Sequence, residues 1–155
     1  MYRERAAMSL DMPERAWVGV VSADHAAIAV AEGWIQLNHG KKTNLARLRQ
    51  GDGFVIYSPT LRYKEGPPLR AFTALGIVAD EEPYLAEEMM TMTDRAPVQP
   101  WRRRVDFQPT QPVAVGTLKG RLELTHDRNW GYALRFGLVP LSPADFILLR
   151  DVMAT

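Results

Sequence analysis

The chain contains no cysteine, which removes disulfides, thiolate metal ligands and a cysteine nucleophile together and fits a reducing compartment. Histidine is scarce too: His25, His39 and His126 are the three present, and their spacing matches no paired zinc-ligand motif such as HExxH. Neither a metal nor another cofactor is expected. Charge of one sign is also missing, because 19 Lys and Arg stand against 18 Asp and Glu and leave a formal net charge of +1. A polybasic field over the whole molecule is excluded, so any contact with nucleic acid has to come from a local patch. No apolar run approaches the length of a membrane span, and the start Met1-Tyr2-Arg3-Glu4-Arg5 is charged with no apolar stretch behind it, unlike a secretory signal. The expectation is a soluble, cytoplasmic protein with no membrane partner.

What is present is the composition of an ordinary globular domain: 155 residues, 46% hydrophobic and 24% charged, without internal repeats. Such a chain can bury one good core and not two large ones. Residues 1–14 mix charges with Ala, Met and Pro without a period and read as a flexible arm, and residues 15–155 read as a single domain. Trp17 to Ser22 and Phe54 to Ser58 are short, nearly continuous apolar runs, the pattern of strands covered on both faces. Pro59 is expected to close the second of them. Between them, Asp24 can cap a helix that runs to Ala31 or Glu32 and stops at Gly33, with Ala27, Val30 and Ala31 as its apolar stripe.

Thr43 can then cap a short helix whose Leu45 and Leu48 share a face, before Gly51-Asp52-Gly53 breaks it. Thr60 to Pro68 reads as an exposed hairpin loop tipped by Arg62, Tyr63 and Lys64, and Ala71 to Val78 as the returning strand. Tyr84 to Met90 suits a strand or a helix, with the balance placed on a strand. Trp101 to Phe107 alternates, with Trp101, Arg103, Val105 and Phe107 on one face and Arg102, Arg104 and Asp106 on the other. Pro112 is suited to open a helix through Leu118 or Leu122. Ser142-Pro143-Ala144-Asp145 carries the signature of a helix start, followed by a stripe of Phe146, Leu149, Val152 and Met153.

One stretch carries more chemistry than a connection needs. Gly33 to Lys42 holds an aromatic (Trp34), an amide (Gln36), an imidazole (His39), a glycine (Gly40) and two ammonium groups (Lys41, Lys42) within one turn-rich segment. Gly40 allows a positive φ or a close approach to a ligand, His39 can donate or accept, and Lys41 supplies a charge for phosphate. The same residues also admit a structural reading, with Trp34 in the core and the lysines at a solvated corner.

Taken in order, the landmarks Trp17 to Ser22, Gly33-Trp34-Ile35-Gln36, His39-Gly40-Lys41, Gly51-Asp52, Tyr57-Ser58-Pro59, Phe72 to Gly76, Arg102-Arg103, Trp130-Gly131, Arg135, Gly137 and Asp145-Phe146 resemble the EVE domain family from Trp17 to the C-terminus. The resemblance implies an α+β, PUA-like fold: a mixed, strongly curved β-sheet approaching a barrel, surrounded by helices. It implies kinship with the YTH domains that read methylated adenine in RNA, and a pocket for a nucleobase, of DNA or RNA, that carries a modification. It does not imply catalysis.

A reader of an unpaired base needs flat platforms and a few donors and acceptors in the base plane. The candidates are Trp34 and Trp130 as platforms, with Ser22, Gln36, His39, Tyr57 and Ser58 around the polar edge. Phosphates would fall to Lys41, Lys42, Arg102, Arg103, Arg104 and Arg135, with Arg62 and Lys64 as outer contacts. Arg103 and Arg135 have a structural alternative, holding a carboxylate or carbonyls beside a packed tryptophan. Two other readings compete: a protein-interaction adaptor with a vestigial pocket, and an enzyme using Ser22, His39, Lys41 and Tyr57, although no nucleophile, base and orienting acid stand together.

Overall fold

The computed structural model describes residues 13–62, 66–92 and 95–155. Most of the expected arm, residues 1–12, and the loop residues Tyr63 and Lys64 therefore lie outside the described residues.

The first strand, β1 (Ala16–Val20), lies parallel to β3 (Gly53–Thr60), and helix α1 (Ala23–Glu32) and the short β2 (Trp34–Ile35) fall between them in the chain. Strand β4 (Pro68–Val78) returns antiparallel to β3. After β5 (Tyr84–Leu85) and the antiparallel pair β6 (Met90–Met92) and β7 (Arg95–Val98), strand β8 (Trp101–Phe107) joins the far side of β4. The chain ends with β9 (Val113–Ala114), the single helical turn α2 (Trp130–Ala133), β10 (Leu138–Leu141) and helix α3 (Pro143–Met153). Among the described residues the main sheet has the order β10-β1-β3-β4-β8-β2, with β5 added on β8 and β9 on β4, while β6 and β7 form a separate two-stranded ribbon.

Side-chain alternation on the central strands produces two cores. Val55 and Tyr57 of β3 join Val18, Phe72, Leu75, Phe146 and Leu149 on the face covered by α3, whereas Phe54 and Ile56 join Trp17, Ala26, Ala29, Ile35, Leu45 and Leu48 on the other. Both β3 faces are dry, which is why its sequence reads as a continuous apolar run instead of an alternating one. Phe54, Phe72 and Phe146 have no exposed surface, and burying each ring contributes about 1.5–3 kcal/mol. Trp17 is also buried, its indole N–H donating to Asp52 at 2.9 Å with the Arg15 and Arg47 guanidinium groups 5.1 and 4.8 Å from its ring.

Helix α1 starts at Ser22, whose backbone is extended and whose hydroxyl makes no capping bond, and ends at Gly33, whose φ of 78° lets its N–H turn back to the Ala29 carbonyl. Its buried residues are Ala26 and Ala29, while the expected stripe of Ala27, Val30 and Ala31 is exposed. Alanine on every side of this helix leaves hydrophobicity unable to fix its rotation, and the sheet settles it. Pro59 does not close β3 either: the strand runs on to Thr60 through a register irregularity between Ser58 and Thr60, where a residue without an N–H is tolerated. The helix expected from Pro112 is absent. Val113 and Ala114 instead pair with Phe72 and Ala71, where β4 has no β8 partner, and a short 3-10 turn follows. Completing an open sheet edge outweighs helix propensity here. Tyr84 to Met90 opens with the two-residue strand β5 and reaches β6 at its last residue, with an irregular stretch between them.

The terminal helix begins as expected. The Asp145 N–H donates to the Ser142 hydroxyl at 3.1 Å, and the buried Asp145 carboxylate accepts from the N–H groups of Glu123 and Leu124, both at 2.9 Å. Val152 is half-buried, and Phe146, Leu149 and Met153 are fully buried.

Arg103, on the inner face of β8, has no exposed surface. Its guanidinium donates to the Asp80 carboxylate at 2.7 Å, to the Asp80 carbonyl at 2.8 Å, and to the carbonyls of Leu45 and Leu48 at 2.8 and 2.6 Å. Replacing Arg103 by Ala would strand Asp80 and two buried carbonyls, so the variant is expected to lose about 3–5 kcal/mol in urea unfolding. A loss below about 1 kcal/mol would show that water enters and replaces the network.

Candidate functional site

Because β1 and β3 are parallel, their carboxyl ends finish side by side, with the Val21 N–H donating to the Tyr57 carbonyl at 3.1 Å. The ends of strands leave ladder groups free and open a space that α1, leaving directly from Ser22, does not fill. A cleft of about 900 Å³ lies there. One wall is the end of β1 with the first turns of α1, including Ser22, His25 and Ile28; a second is Trp34, Gln36 and the turn from Asn38 to Gly40. Pro59 and Thr60 of β3, the segment from Glu88 to Thr91, and Arg102, Leu134 and Arg135 close the remainder.

The register of β2 on β8 explains how the central cluster forms. Trp34 pairs with Arg104 and Ile35 with Arg103, so Ile35 and Arg103 point into the core while Trp34, Arg102 and Arg104 share the other face. The Arg102 guanidinium lies 3.7 Å from the Trp34 ring centroid, donates through Nε to the Gln36 side-chain oxygen at 2.7 Å, and donates through Nη1 to Glu88 at 2.5 Å. Arginine can only donate, which assigns the Gln36 amide: its oxygen faces Arg102 and its NH₂ faces the Met90 sulfur, 3.3 Å away. One face of the indole is thus taken by a cation, and the amide keeps one N–H beyond the Met90 contact. The Arg102 side chain is 10% exposed and its Glu88 partner 61%. That hydrogen bond holds the Glu88 carboxyl below its ordinary value, so the link is complete at neutral pH and is lost only as pH falls through the depressed value.

On the opposite wall the Ser22 hydroxyl donates to Asp24 at 2.6 Å, and across the mouth the Thr60 hydroxyl donates to the Arg62 carbonyl at 2.7 Å. Both oxygens therefore keep acceptor capacity only. His39 is exposed and occupies the left-handed region at φ 61°, preceded by Asn38 at 50° and followed by Gly40 at 81°. Three successive positive φ values make a tight corner that holds this wall in place.

The cleft brings together Ser22, Trp34, Gln36, His39, Arg102 and Arg135 of the residues singled out from sequence. It does not bring in Tyr57, Ser58 or Trp130. Tyr57 and Ser58 lie inside the sheet: Tyr57 packs against Phe72 and Trp130 with centroids 5.4 and 5.7 Å apart, and Ser58 shares a 2.8 Å hydrogen bond with Thr73. Burial pushes the Tyr57 phenol up, against a smaller opposing effect of Arg70. Trp130 thus belongs to the core under α3, so Trp34 and Trp130 do not form two walls of one cage. The acid and base groups considered for an enzyme are not assembled either, since Tyr57 does not line the cleft.

Among the cations, Arg103 is consumed by the internal network and is removed from the phosphate set. Arg104 is exposed, 4.8 Å from the Tyr84 ring, and lines a smaller recess of about 370 Å³ that also touches Trp34. Lys42 lies 4.6 Å from the Trp101 ring, Arg135 lies 5.1 Å from the Tyr132 ring, and Lys41 and Arg62 are exposed. Glu88 and Met90 had no sequence signal, because they sit in the stretch with the weakest periodicity. Among the described residues no cluster of His, Asp and Glu could hold a metal ion, and no helix is long and apolar enough to cross a membrane.

The sequence pattern of the EVE domain matches residues 15–152. A UPF0310 protein of Renibacterium salmoninarum is 42% identical over 139 residues, covering 90% of this chain and 95% of that protein. A UPF0310 protein of Mycobacterium avium is 41% identical, covering 88% and 96%, and the UPF0310 protein YdcG of Bacillus subtilis is 33% identical, covering 88% and 90%. The crystal structure of a protein from Agrobacterium tumefaciens superposes with a TM-score of 0.53 at 14% identity over 88% of this chain and 91% of that one, a likeness of fold alone. The α+β architecture with its mixed, curved sheet is accordingly PUA-like. Matched across nearly all its described residues and sharing two fifths of its sequence with full-length relatives, the chain belongs to the EVE domain family, which is associated with nucleic-acid binding.

Proposed function

We propose that the protein is a non-catalytic module that binds nucleic acid and reads one unpaired or flipped base, carrying a methyl or hydroxymethyl group, in the cleft at the ends of β1 and β3. The observation that carries this reading is the convergence of Trp34, Gln36, Ser22 and His39 on a single cleft large enough for a nucleotide. In this reading the indole, backed by Arg102, offers its remaining face to the base. The free N–H of Gln36 and the acceptor-only oxygens of Ser22 and Thr60 meet the polar edge from opposite walls. Met89 and Met90, both lining the cleft, offer a polarizable surface against which an added methyl group can pack.

The cations divide into two sets. Arg102 is already neutralised by Glu88 and supports the platform, whereas Lys41, Lys42, Arg104 and Arg135 remain around it for phosphates. With a net charge of only +1, affinity in this reading rests on those few side chains and on stacking.

The test uses short single-stranded DNA and RNA carrying one methylated or hydroxymethylated base, titrated against unmodified controls. Trp34→Ala is expected to abolish the preference for the modified strand while the thermal melt still shows a folded domain. Gln36→Leu is expected to narrow the gap between modified and control strands. Equal binding of both strands by the wild type at every salt concentration would end the modified-base reading. Phosphate contacts behave differently, because each releases counterions: Lys41→Ala or Arg104→Ala is expected to weaken all strands alike and to lower the salt slope by about one unit. An unchanged slope would remove that residue from the phosphate set.

A further inference from the structure

We infer that Tyr132, Arg135 and Phe136 form a stacking shelf for the nucleotide adjoining the one held in the cleft, so that the preferred ligand is a single strand and not an isolated nucleoside. This inference rests on the base-reading function proposed above. Tyr132 and Phe136 are 60% and 62% exposed. They meet edge to face, with centroids 6.0 Å apart at 78°, and the Arg135 guanidinium stands 5.1 Å from the Tyr132 ring. Two large rings left in water with a cation over one of them match the two surfaces of a nucleotide, a flat base and a phosphate. An apolar peptide would match the rings and leave the cation unanswered.

The shelf is continuous with the cleft, because Leu134 and Arg135, from the same short segment, line the cleft wall. It is also anchored to the opposite part of that wall. The Phe136 carbonyl accepts from the side-chain amides of Asn38 and Asn44 at 3.2 and 2.8 Å, and the Asn44 amide also donates to the Asn38 side-chain oxygen at 2.7 Å. Gly137 permits this approach: its φ is 84°, and a Cβ there would lie 2.4 Å from the Asn38 amide nitrogen. Asn38 lines the cleft and adopts φ 50°. The rings therefore sit on a backbone tied by two hydrogen bonds, from Asn38 and Asn44, to the side of the cleft that Asn38 lines, and an aromatic platform held in this way loses little freedom when a base stacks on it.

The experiment compares two ligands on three proteins. The ligands are a pentanucleotide with one modified base at its centre, from whichever of DNA or RNA the wild type prefers, and the free modified nucleoside. The proteins are the wild type, Tyr132→Ala/Phe136→Ala and Trp34→Ala. The double variant is expected to bind the pentanucleotide about tenfold or more weakly than the wild type, the range for losing a base stack, and to bind the nucleoside as the wild type does. Trp34→Ala is expected to lose both ligands. Full pentanucleotide affinity in the double variant, with loss in Trp34→Ala, overturns the shelf and leaves the base-reading function standing. Failure of the wild type to bind either ligand overturns both. Should the double variant fail to fold, Tyr132→Ala alone serves, on a side chain largely in water, with about fivefold weaker binding of the pentanucleotide expected; wild-type affinity there overturns the shelf.

Discussion

A fully buried guanidinium is the constraint on which the arrangement around the cleft depends. Arg103 carries a charge into a site with no exposed surface and is matched there by the Asp80 carboxylate and three backbone carbonyls. A buried ion of this kind is tolerated only with its partners in place, so the turn at Leu45 to Leu48, Asp80 just beyond the end of β4, and strand β8 are bound into one unit. The period of two along a strand then decides the rest. With Arg103 fixed inward, Arg102 and Arg104 point outward. Arg102 meets Trp34 because Trp34 is the cross-strand partner of Arg104, and Gln36, one residue beyond β2, meets the Arg102 Nε. Platform, amide and acidic partner are therefore placed by an interaction on the hidden side of the same strand.

Much of the fold was legible because its signals were local. Buried strands announced themselves as apolar runs at Trp17 and Phe54, Gly33 stopped a helix because it can adopt positive φ, and Ser142 with Pro143 started one. The alternation in Trp101 to Phe107 placed Arg103 and Val105 together on the inner face. Failures occurred where a distant partner decided the outcome. The rotation of α1 was hidden by alanines on all sides, and Pro112 opened no helix because the unpaired part of β4 recruited Val113 and Ala114. A sheet edge more than forty residues away leaves no trace in local periodicity.

The candidate site divides along the same line. Ser22, Trp34, Gln36 and His39 lie within one stretch of chain, and they do meet. Tyr57 and Ser58 lie on β3 and are turned inward by it, and Trp130, on the single turn α2, packs half-buried against the core under α3. Met90 meets Gln36 54 residues away, and Asn38 and Asn44 meet Phe136 98 and 92 residues away, and nothing in the composition of those segments foretold it. Arg102 was chosen for its charge, yet its observed partners make it the support of an aromatic ring.

The ribbon of β6 and β7 is hydrogen-bonded as a sheet of its own, separate from the main one. Its base is closed where the Ala86 N–H donates to the Pro100 carbonyl at 2.8 Å and the Gln99 side chain donates to the Ala86 carbonyl at 2.6 Å. Glu88 to Thr91, four residues of the cleft wall, lie inside that closure, while Trp34 and Arg102 lie on the main sheet and Gln36 directly follows β2. The two sides of the cleft thus belong to separately hydrogen-bonded parts of the chain. Substitution of Glu88, Met89 or Met90 therefore alters one side of the cleft without touching a residue of the register that pairs β1, β3, β4 and β8.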